Sequence, residues 1–192
     1  EESEGLMEAM YSVSDQNVFF QMNLFDSHDT PRLHNDKAVF DRDIYKGVVM
    51  ALYMLPGMPN LYYGDEVLLN GKLGSNEGAR YPMEWRDEYQ DKDMLSFYSK
   101  MGEARKEEWL GFSSYSVIPL DEKAFAILRF IEGKALVSVI NRGESREVSL
   151  PLFLLPSKNI RVAMGEGKVS KESDSLRVLL KYKESLLIRL EN

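Results

Sequence analysis

Two ionisable side chains stand directly after an apolar run, and they are the first candidates for chemistry. His28 and Asp29 follow the nearly continuous apolar run Val18 to Phe25, inside the polar string Asp26-Ser27-His28-Asp29-Thr30-Pro31-Arg32. The carboxylate accepts hydrogen bonds, and the imidazole can donate or accept one. Polar residues at the end of a buried strand are where α/β enzymes keep their chemistry. Because His-Asp pairs also occur by chance, the pair alone does not define a function.

The elements that would position this string follow an alternating pattern. Val18 to Phe25 predicts a buried strand of a parallel sheet. A helix is predicted next, through Ile44 to Leu55, capped by Asp41 or Asp43 and ended by Pro56-Gly57. Asn60 to Tyr63 predicts a second strand, which closes on the polar tip Gly64-Asp65-Glu66. Strand, helix and strand with polar tips indicate a βα barrel or a doubly wound sheet.

The rest of the chain changes character. A long irregular stretch, Val67 to Asp91, precedes a charged helix at Met94 to Glu108. A short apolar cluster, Leu6 to Tyr11, predicts the end of another helix. After Trp109, short β-rich runs alternate with hairpin-like breaks and predict an antiparallel sandwich. The predicted strands are Ser116 to Pro119, Ala124 to Phe130, Ala135 to Ile140, Arg146 to Leu150, Ile160 to Ala163, Leu176 to Leu180 and Ser185 to Leu190.

Composition excludes several classes of protein. The chain has 192 residues and a net charge of -7 without a basic tract, so a nucleic-acid partner has no electrostatic support. It has no cysteine, which rules out disulfides and thiolate chemistry. The longest apolar runs are too short to span a bilayer, so no membrane partner is expected. Because the chain starts with Glu1 and not with methionine, we expect a missing N-terminal portion.

Three motifs in a fixed order carry a family resemblance. They are Asn23-Leu24-Phe25-Asp26-Ser27-His28-Asp29-Thr30-Pro31-Arg32, then Pro56-Gly57-Met58-Pro59-Asn60-Leu61-Tyr62-Tyr63-Gly64-Asp65-Glu66, then Arg80-Tyr81-Pro82-Met83-Glu84-Trp85. The series resembles the last third of α-amylase-family glycoside hydrolases, most of all the neopullulanase, cyclomaltodextrinase and maltogenic amylase group. The resemblance implies the C-terminal strands and helices of a (β/α)8 barrel in residues 1–110, followed by a small antiparallel β-sandwich in residues 111–192.

The resemblance also implies roles for four side chains. Asp29 would be the third catalytic carboxylate, which binds the sugar's 2- and 3-hydroxyls more strongly in the transition state. His28 would bind the same sugar, Arg80 the neighbouring one, and Tyr63 could touch a sugar face. Each has a structural alternative: Asp29 as a turn cap, His28 as a partly buried histidine bonded to backbone, Arg80 as a loop salt bridge, and Tyr63 as a core residue.

The resemblance, together with the residue types, implies structural roles for other residues of the motifs. Gly57 and Gly64 should form tight turns, Tyr62 should lie in the core, and Trp85 should anchor the long loop to the barrel. Surface pairing or capping explains Asp26 and Arg32. The family's acid before the arginine is either replaced by Asn76 or shifted to Glu77, so the sugar site next to Arg80 differs from the pattern.

The motifs leave the catalytic set incomplete. The resemblance places the nucleophilic Asp and the acid Glu of a retaining α-glucan hydrolase upstream of this chain, so we expect a second chain carrying the N-terminal part of the barrel. The expected substrates are maltodextrins, cyclodextrins or starch-like α-glucans. The alternatives are a non-catalytic carbohydrate-binding or scaffold subunit and a glucan transferase. No metal ligand or cofactor is expected here, although calcium could bind the missing part, and the group's usual location predicts the cytoplasm.

Overall fold

The described helices all lie before residue 106. The computed structural model describes residues 15–36, 40–71, 77–152 and 155–192, so the helix end predicted at Leu6 to Tyr11 lies outside the described residues. The helices are α1 Asp15–Val18, α2 Arg42–Met54 and α3 Lys92–Arg105. Short 3-10 turns occupy Leu33–Asn35, Asp65–Val67, Gly78–Arg80, Asp87–Tyr89 and Glu108–Gly111. Among the described residues, no helix is long and apolar enough to cross a membrane.

The two parallel strands are shorter than predicted. β1 is Met22–Asn23 and β2 is Met58–Pro59, paired Met22 to Met58 and Asn23 to Pro59. The expected strands Val18 to Phe25 and Asn60 to Tyr63 were therefore wrong in their bounds. Val18 still belongs to α1, and the chain after Asn60 turns toward Gly64, where the Asp65 amide donates to the Tyr62 carbonyl at 3.2 Å. Among the described residues, each strand pairs only with the other, which limits the length of the ladder.

In the described residues after Ser113 there are eight antiparallel strands. They are β3 Ser114–Pro119, β4 Ala124–Ile131, β5 Lys134–Asn141, β6 Arg146–Pro151, β7 Asn159–Met164, β8 Lys168–Glu172, β9 Ser175–Leu180 and β10 Ser185–Glu191. All seven predicted strands are present, each longer than predicted by one or two residues. The eighth, β8, was missed because it is short, mostly polar and exposed, which hides its period of two.

The strands form two sheets that pack face to face. One sheet has the order β3-β4-β5-β10-β7 and the other β6-β9-β8. A single apolar cluster joins them, with Ala126 and Val137 contributed by the larger sheet and Leu150 and Val178 by the smaller one. The predicted antiparallel sandwich is therefore present.

The larger sheet is buried on its outer face as well. Along β4, Ala124, Ala126 and Leu128 point into the sandwich, whereas Phe125 and Ile127 pack against the helical half of the chain. Their partners there include Met50 and Met54 of α2, Met101 of α3, and Trp109 and Leu110 of the following turn. The molecule thus has three layers: helices, five-stranded sheet and three-stranded sheet.

The ends of α2 are fixed by neighbouring segments. Asp41 is the N-cap, as one of the two predicted choices, and accepts from the amides of Asp43 and Ile44. Its second oxygen accepts from Lys183 Nζ at 2.7 Å, which ties the helix to the turn before β10. At the other end, Gly57 has φ +94°, and a Cβ there would lie 2.5 Å from the Gln21 carbonyl oxygen, so the predicted tight turn needs glycine.

Arg129 is a fully buried cation at the junction of the sheet and the helices. Its guanidinium donates to the carbonyls of Met54, Leu55 and Leu110 and to Ser113 Oγ. Burial lowers the pKa of Arg129 to about 9. These bonds satisfy carbonyls left unpaired at the end of α2 and in the turn after α3.

We expect Arg129→Met to lower the free energy of unfolding by about 3 kcal/mol or more, because several buried carbonyls would lose their donor. Urea denaturation of the purified chain measures this. The matched control is Arg161→Met on β7, where the side chain is exposed and the change should stay within about 0.5 kcal/mol. Equal effects of the two substitutions would show that the Arg129 bonds do not stabilise the junction.

Candidate functional site

A tight turn follows β1 and carries the two candidate side chains. The Ser27 amide donates to Thr30 Oγ1 at 3.0 Å, and the Asp29 amide donates to Ser27 Oγ at 3.2 Å. The buried Asp26 closes the turn from below, since both its oxygens accept from the Leu33 amide, at 3.1 and 3.0 Å. Asp26 therefore caps this turn, and the Asp29 carboxylate is left to point outward.

Asp29 meets the other two predicted polar residues. Its Oδ2 lies 3.2 Å from His28 Nε2, and its Oδ1 accepts from Arg80 Nη2 at 3.0 Å. The side chains of Asp29 and His28 are 65% and 63% exposed, so a solute can reach them. The alternative of a partly buried His28 satisfied by backbone does not match this position. The cluster presents an acceptor between two donors, which suits a ligand with adjacent hydroxyls.

A buried ion pair lies beneath this cluster. Arg32 and Asp65 are each only 1% exposed, and Arg32 Nη1 donates to Asp65 Oδ1 at 2.7 Å. Arg32 Nη2 also donates to the Ala79 carbonyl at 3.4 Å. Surface pairing or capping was expected for Asp26 and Arg32. Asp26 does cap the turn through the Leu33 amide, but both residues are buried, so surface pairing was wrong, and Arg32 spans three chain segments. The polar string alone gave no signal of burial, because its partner at Asp65 is 33 residues away.

Two tyrosines enclose the guanidinium of Arg32. Its central carbon lies 4.6 Å from the Tyr62 ring centroid and 4.9 Å from that of Tyr63. The Tyr62 hydroxyl donates to the Ala79 carbonyl and the Tyr63 hydroxyl to the Tyr81 carbonyl, each at 2.8 Å. Tyr62 is only half-buried and not in the core as expected, while Tyr63 is partly exposed beside the cluster. Gly64, with φ +88°, makes the predicted tight turn that follows them.

Burial and charge repulsion shift the titration of the acids in this network. Burial, reinforced by the nearby Asp26 and opposed by Arg32, raises the pKa of Asp65 to about 8. Burial also raises the pKa of Asp26, although the Leu33 amide opposes the change. Burial lowers the pKa of His34, and its Nε2 donates to the Leu69 carbonyl at 2.9 Å.

The two acids and His34 are the one group in the described part of the chain with the spacing of metal ligands. Ligand atoms of Asp26, His34 and Asp65 all lie within 4.8 Å of one another. The Arg32 guanidinium lies 2.7 Å from Asp65, and its positive charge would repel a metal cation bound beside it. The arrangement therefore fits an ion network better than a metal site.

The remaining motif residues have mixed outcomes. Trp85 is 79% exposed, so the expectation that it anchors the long loop was wrong. The turn is held instead by the bidentate Glu84–Arg86 ion pair and by the Gln90 side-chain amide, which donates to the Glu84 carbonyl. Asn76 lies outside the described residues. Glu77 is exposed and accepts the Arg80 amide through its carbonyl at 3.0 Å.

Comparison with known proteins identifies relatives of this chain. A cyclomaltodextrinase of Thermoanaerobacter pseudethanolicus is 33% identical over 150 residues, which are 76% of this chain and 24% of that protein. An intracellular maltogenic amylase of Bacillus subtilis (strain 168) is 30% identical over 63% of this chain and 21% of its own length. The chain is a homologue of α-amylase-family glycoside hydrolases.

The fold recurs in solved α-amylase-family structures. An Anoxybacillus α-amylase superposes with a TM-score of 0.81 over 98% of this chain and 41% of that one, at 21% identity. No family model matches the chain. The chain spans about a quarter of the length of the curated relatives that it matches.

The raised pKa of Asp65 gives a pH signature. A carboxyl whose pKa is higher in the folded chain binds more protons when folded. Its stabilising effect is therefore fully present below the unfolded value of 3.8 and is lost as pH rises through about 8. Between about pH 5 and that point, we expect the wild type to lose up to about 1.4 kcal/mol per pH unit relative to Asp65→Asn, which cannot titrate.

Urea denaturation at several pH values checks this expectation. Asp87→Asn is the control, because Lys92 lowers the pKa of this exposed carboxyl and moves its titration below the tested range. Its stability profile should run parallel to that of the wild type. A parallel profile for Asp65→Asn would contradict the raised pKa.

Proposed function

We propose that this chain provides the transition-state-stabilising carboxylate, Asp29, of a retaining hydrolase that cleaves α-glucosidic bonds. The observation that carries the proposal is the exposed cluster of Asp29, His28 and Arg80, held by two direct contacts of 3.2 and 3.0 Å at the end of β1. The turn-cap alternative for Asp29 is disfavoured, because Asp26, Ser27 and Thr30 already make the turn's hydrogen bonds. The relatives named cyclomaltodextrinase and maltogenic amylase give the reaction class.

Asp29 would act by accepting hydrogen bonds from the sugar whose anomeric carbon reacts. In retaining hydrolysis, one carboxylate attacks that carbon and a carboxylic acid protonates the leaving oxygen. Hydrogen bonds from the 2- and 3-hydroxyls to Asp29 strengthen as the ring becomes oxocarbenium-like, so they lower the barrier and not merely the dissociation constant. A sugar hydroxyl can take the place that Arg80 Nη2 occupies on Oδ1, while His28 donates to a neighbouring oxygen.

Arg80 and Tyr63 would contact the substrate beside this sugar. Arg80 stands on the 3-10 turn Gly78–Arg80 with about half of its side chain exposed, and can donate to the next sugar once Asp29 holds the first. Tyr63 is fixed by its bond to the Tyr81 carbonyl and leaves part of its ring exposed, which offers an apolar surface to the C–H face of a pyranose. Maltodextrins, cyclodextrins or starch-like α-glucans are the proposed substrates.

The nucleophile and the acid would come from further barrel strands. We assign β1 and β2 to the seventh and eighth strands of a (β/α)8 barrel, α3 to its last helix, and the domain boundary to residue 110. Parallel strands are normally covered on both faces, yet apolar side chains around this pair are exposed. These are Phe20, Met22, Leu24, Met58 and Leu61. A polypeptide carrying the N-terminal part of the barrel would cover them, and a cytoplasmic location matches the relative named intracellular.

In the enzyme that contains this chain together with the upstream strands, Asp29→Asn should lower kcat on maltoheptaose by about a hundredfold or more, because an amide binds the sugar hydroxyls more weakly as charge develops. The free energy of unfolding should hardly change. Asp174→Asn, in an exposed turn between β8 and β9, is the matched control and should keep full activity. Near-normal turnover of Asp29→Asn would remove Asp29 from the mechanism.

The need for an upstream part is tested by native mass spectrometry joined to a digestion assay. We expect the chain alone to release no sugar from maltoheptaose or cyclodextrin, and to do so once a chain with the N-terminal barrel strands is bound. Hydrolysis by the chain alone would contradict the proposed division of the active site. A stable complex without hydrolysis would instead support a scaffold or carbohydrate-binding role.

A further inference from the structure

The buried side chain of Arg32 joins the three segments that build the candidate site. It lies three residues after Asp29 on the same turn and donates to Asp65, which follows the two tyrosines. It also donates to the carbonyl of Ala79, the residue just before Arg80. One guanidinium therefore connects the turn that carries Asp29 with the turn that carries Arg80.

The geometry of this connection leaves little freedom. The guanidinium lies between the rings of Tyr62 and Tyr63, at 4.6 and 4.9 Å from their centroids. The Ala79 carbonyl accepts from Arg32 at 3.4 Å and from the Tyr62 hydroxyl at 2.8 Å. A planar cation with fixed donor directions suits this position, since it can stack and form bonds in its plane at once.

The exposed cluster above has no comparable support of its own. Asp29 and Arg80 are held to each other by one contact of 3.0 Å between largely exposed side chains, and such pairs contribute little. Their relative position must therefore be set by the backbone of their two turns. Asp26 fixes the first turn through the Leu33 amide, and Arg32 fixes the second relative to the first.

We propose that Arg32 is a positioning residue for glucan hydrolysis, which sets the spacing between Asp29 and Arg80 so that both can hold adjoining sugars. This inference rests on the proposed function of Asp29. A buried ion pair alone is weak evidence for stability, because desolvation offsets much of the attraction. If Arg32 holds two substrate-binding turns in place, its burial has a function that outweighs the desolvation cost.

Arg32→Lys tests the inference, because lysine keeps the charge but cannot stack between two rings while bonding to Asp65 and Ala79. In the complete enzyme we expect kcat/KM on maltoheptaose to fall about tenfold or more, since small misplacements of catalytic groups have effects of this size. Arg42→Lys is the matched control: Arg42 also pairs with an aspartate, Asp91, but in a partly exposed position between α2 and α3. Its activity should be unchanged.

A double-substitution cycle separates positioning from a general effect on the fold. If Arg32 acts through Asp29, Arg32→Lys should cost about twofold or less in the Asp29→Asn background, because the group that it positions is already disabled. An equal loss in both backgrounds would overturn the inference and leave Arg32 a purely structural residue. If Asp29→Asn itself has no effect, the proposed function fails first, and the two failures are thereby distinguished.

Tyr62→Phe serves as a second variant if Arg32→Lys does not fold. It keeps the ring over the guanidinium and removes only the bond to the Ala79 carbonyl. We expect a loss of about threefold in kcat/KM that again disappears in the Asp29→Asn background. A wild-type value in the single variant would mean that the Ala79 carbonyl does not transmit position to Arg80.

Discussion

Burial of the five-stranded sheet on both faces is the constraint on which the rest of this structure depends. Alternate residues of β4 enter two different apolar clusters, one shared with the smaller sheet and one shared with α2 and α3. A sheet buried on both sides transmits the position of one layer to the other, because close-packed interiors resist small displacements. The helices, and with them the turn at Gly57 that leads into β2, are therefore held in place by the sandwich.

Two buried arginines donate hydrogen bonds to polar groups that are buried between chain segments. Arg129 supplies donors to carbonyls at the end of α2 and in the turn after α3, where apolar packing would otherwise leave them unpaired. Arg32 donates to Asp65 and to the Ala79 carbonyl, which also accepts from the Tyr62 hydroxyl. Both use the several directed donors of a guanidinium, which a lysine could not reproduce. Buried charge here marks junctions between segments distant in sequence.

The sequence was informative where structure is local and poor where it is not. The predicted strands of the sandwich are apolar or alternating runs between clear turn signals, so all seven exist. The polar edge strand β8 had no apolar pattern to detect. The Asp41 cap and the turns at Gly57 and Gly64 were likewise predictable, because each depends on one residue type. The order of the motifs singled out Asp29, His28 and Arg80, and the structure brings these three side chains into contact.

The burial of Asp26 and Arg32 could not be read from the sequence, because it depends on Asp65 and Ala79, which lie 33 and 47 residues beyond Arg32. The exposure of Trp85 was missed for the opposite reason: a large indole is usually buried, and only the arrangement of neighbouring segments reveals that it is not. Contacts between distant segments therefore decide which polar residues lie beneath the site and which lie at its surface.

A site that binds a transition state requires buried residues that hold the backbone still and exposed side chains that contact the ligand. Hydrogen bonds that strengthen only as charge develops lower the barrier most when their acceptor is already in position. Moving the acceptor during the reaction would cost free energy and cancel part of this stabilisation. At this site the buried layer of Arg32, Asp65 and Asp26 fixes the backbone, while Asp29 and His28 stay accessible to a ligand. In the proposed function, a sugar hydroxyl replaces Arg80 on Asp29. The Asp29–Arg80 contact is weak enough for this exchange, and the buried residues beneath it do not have to move.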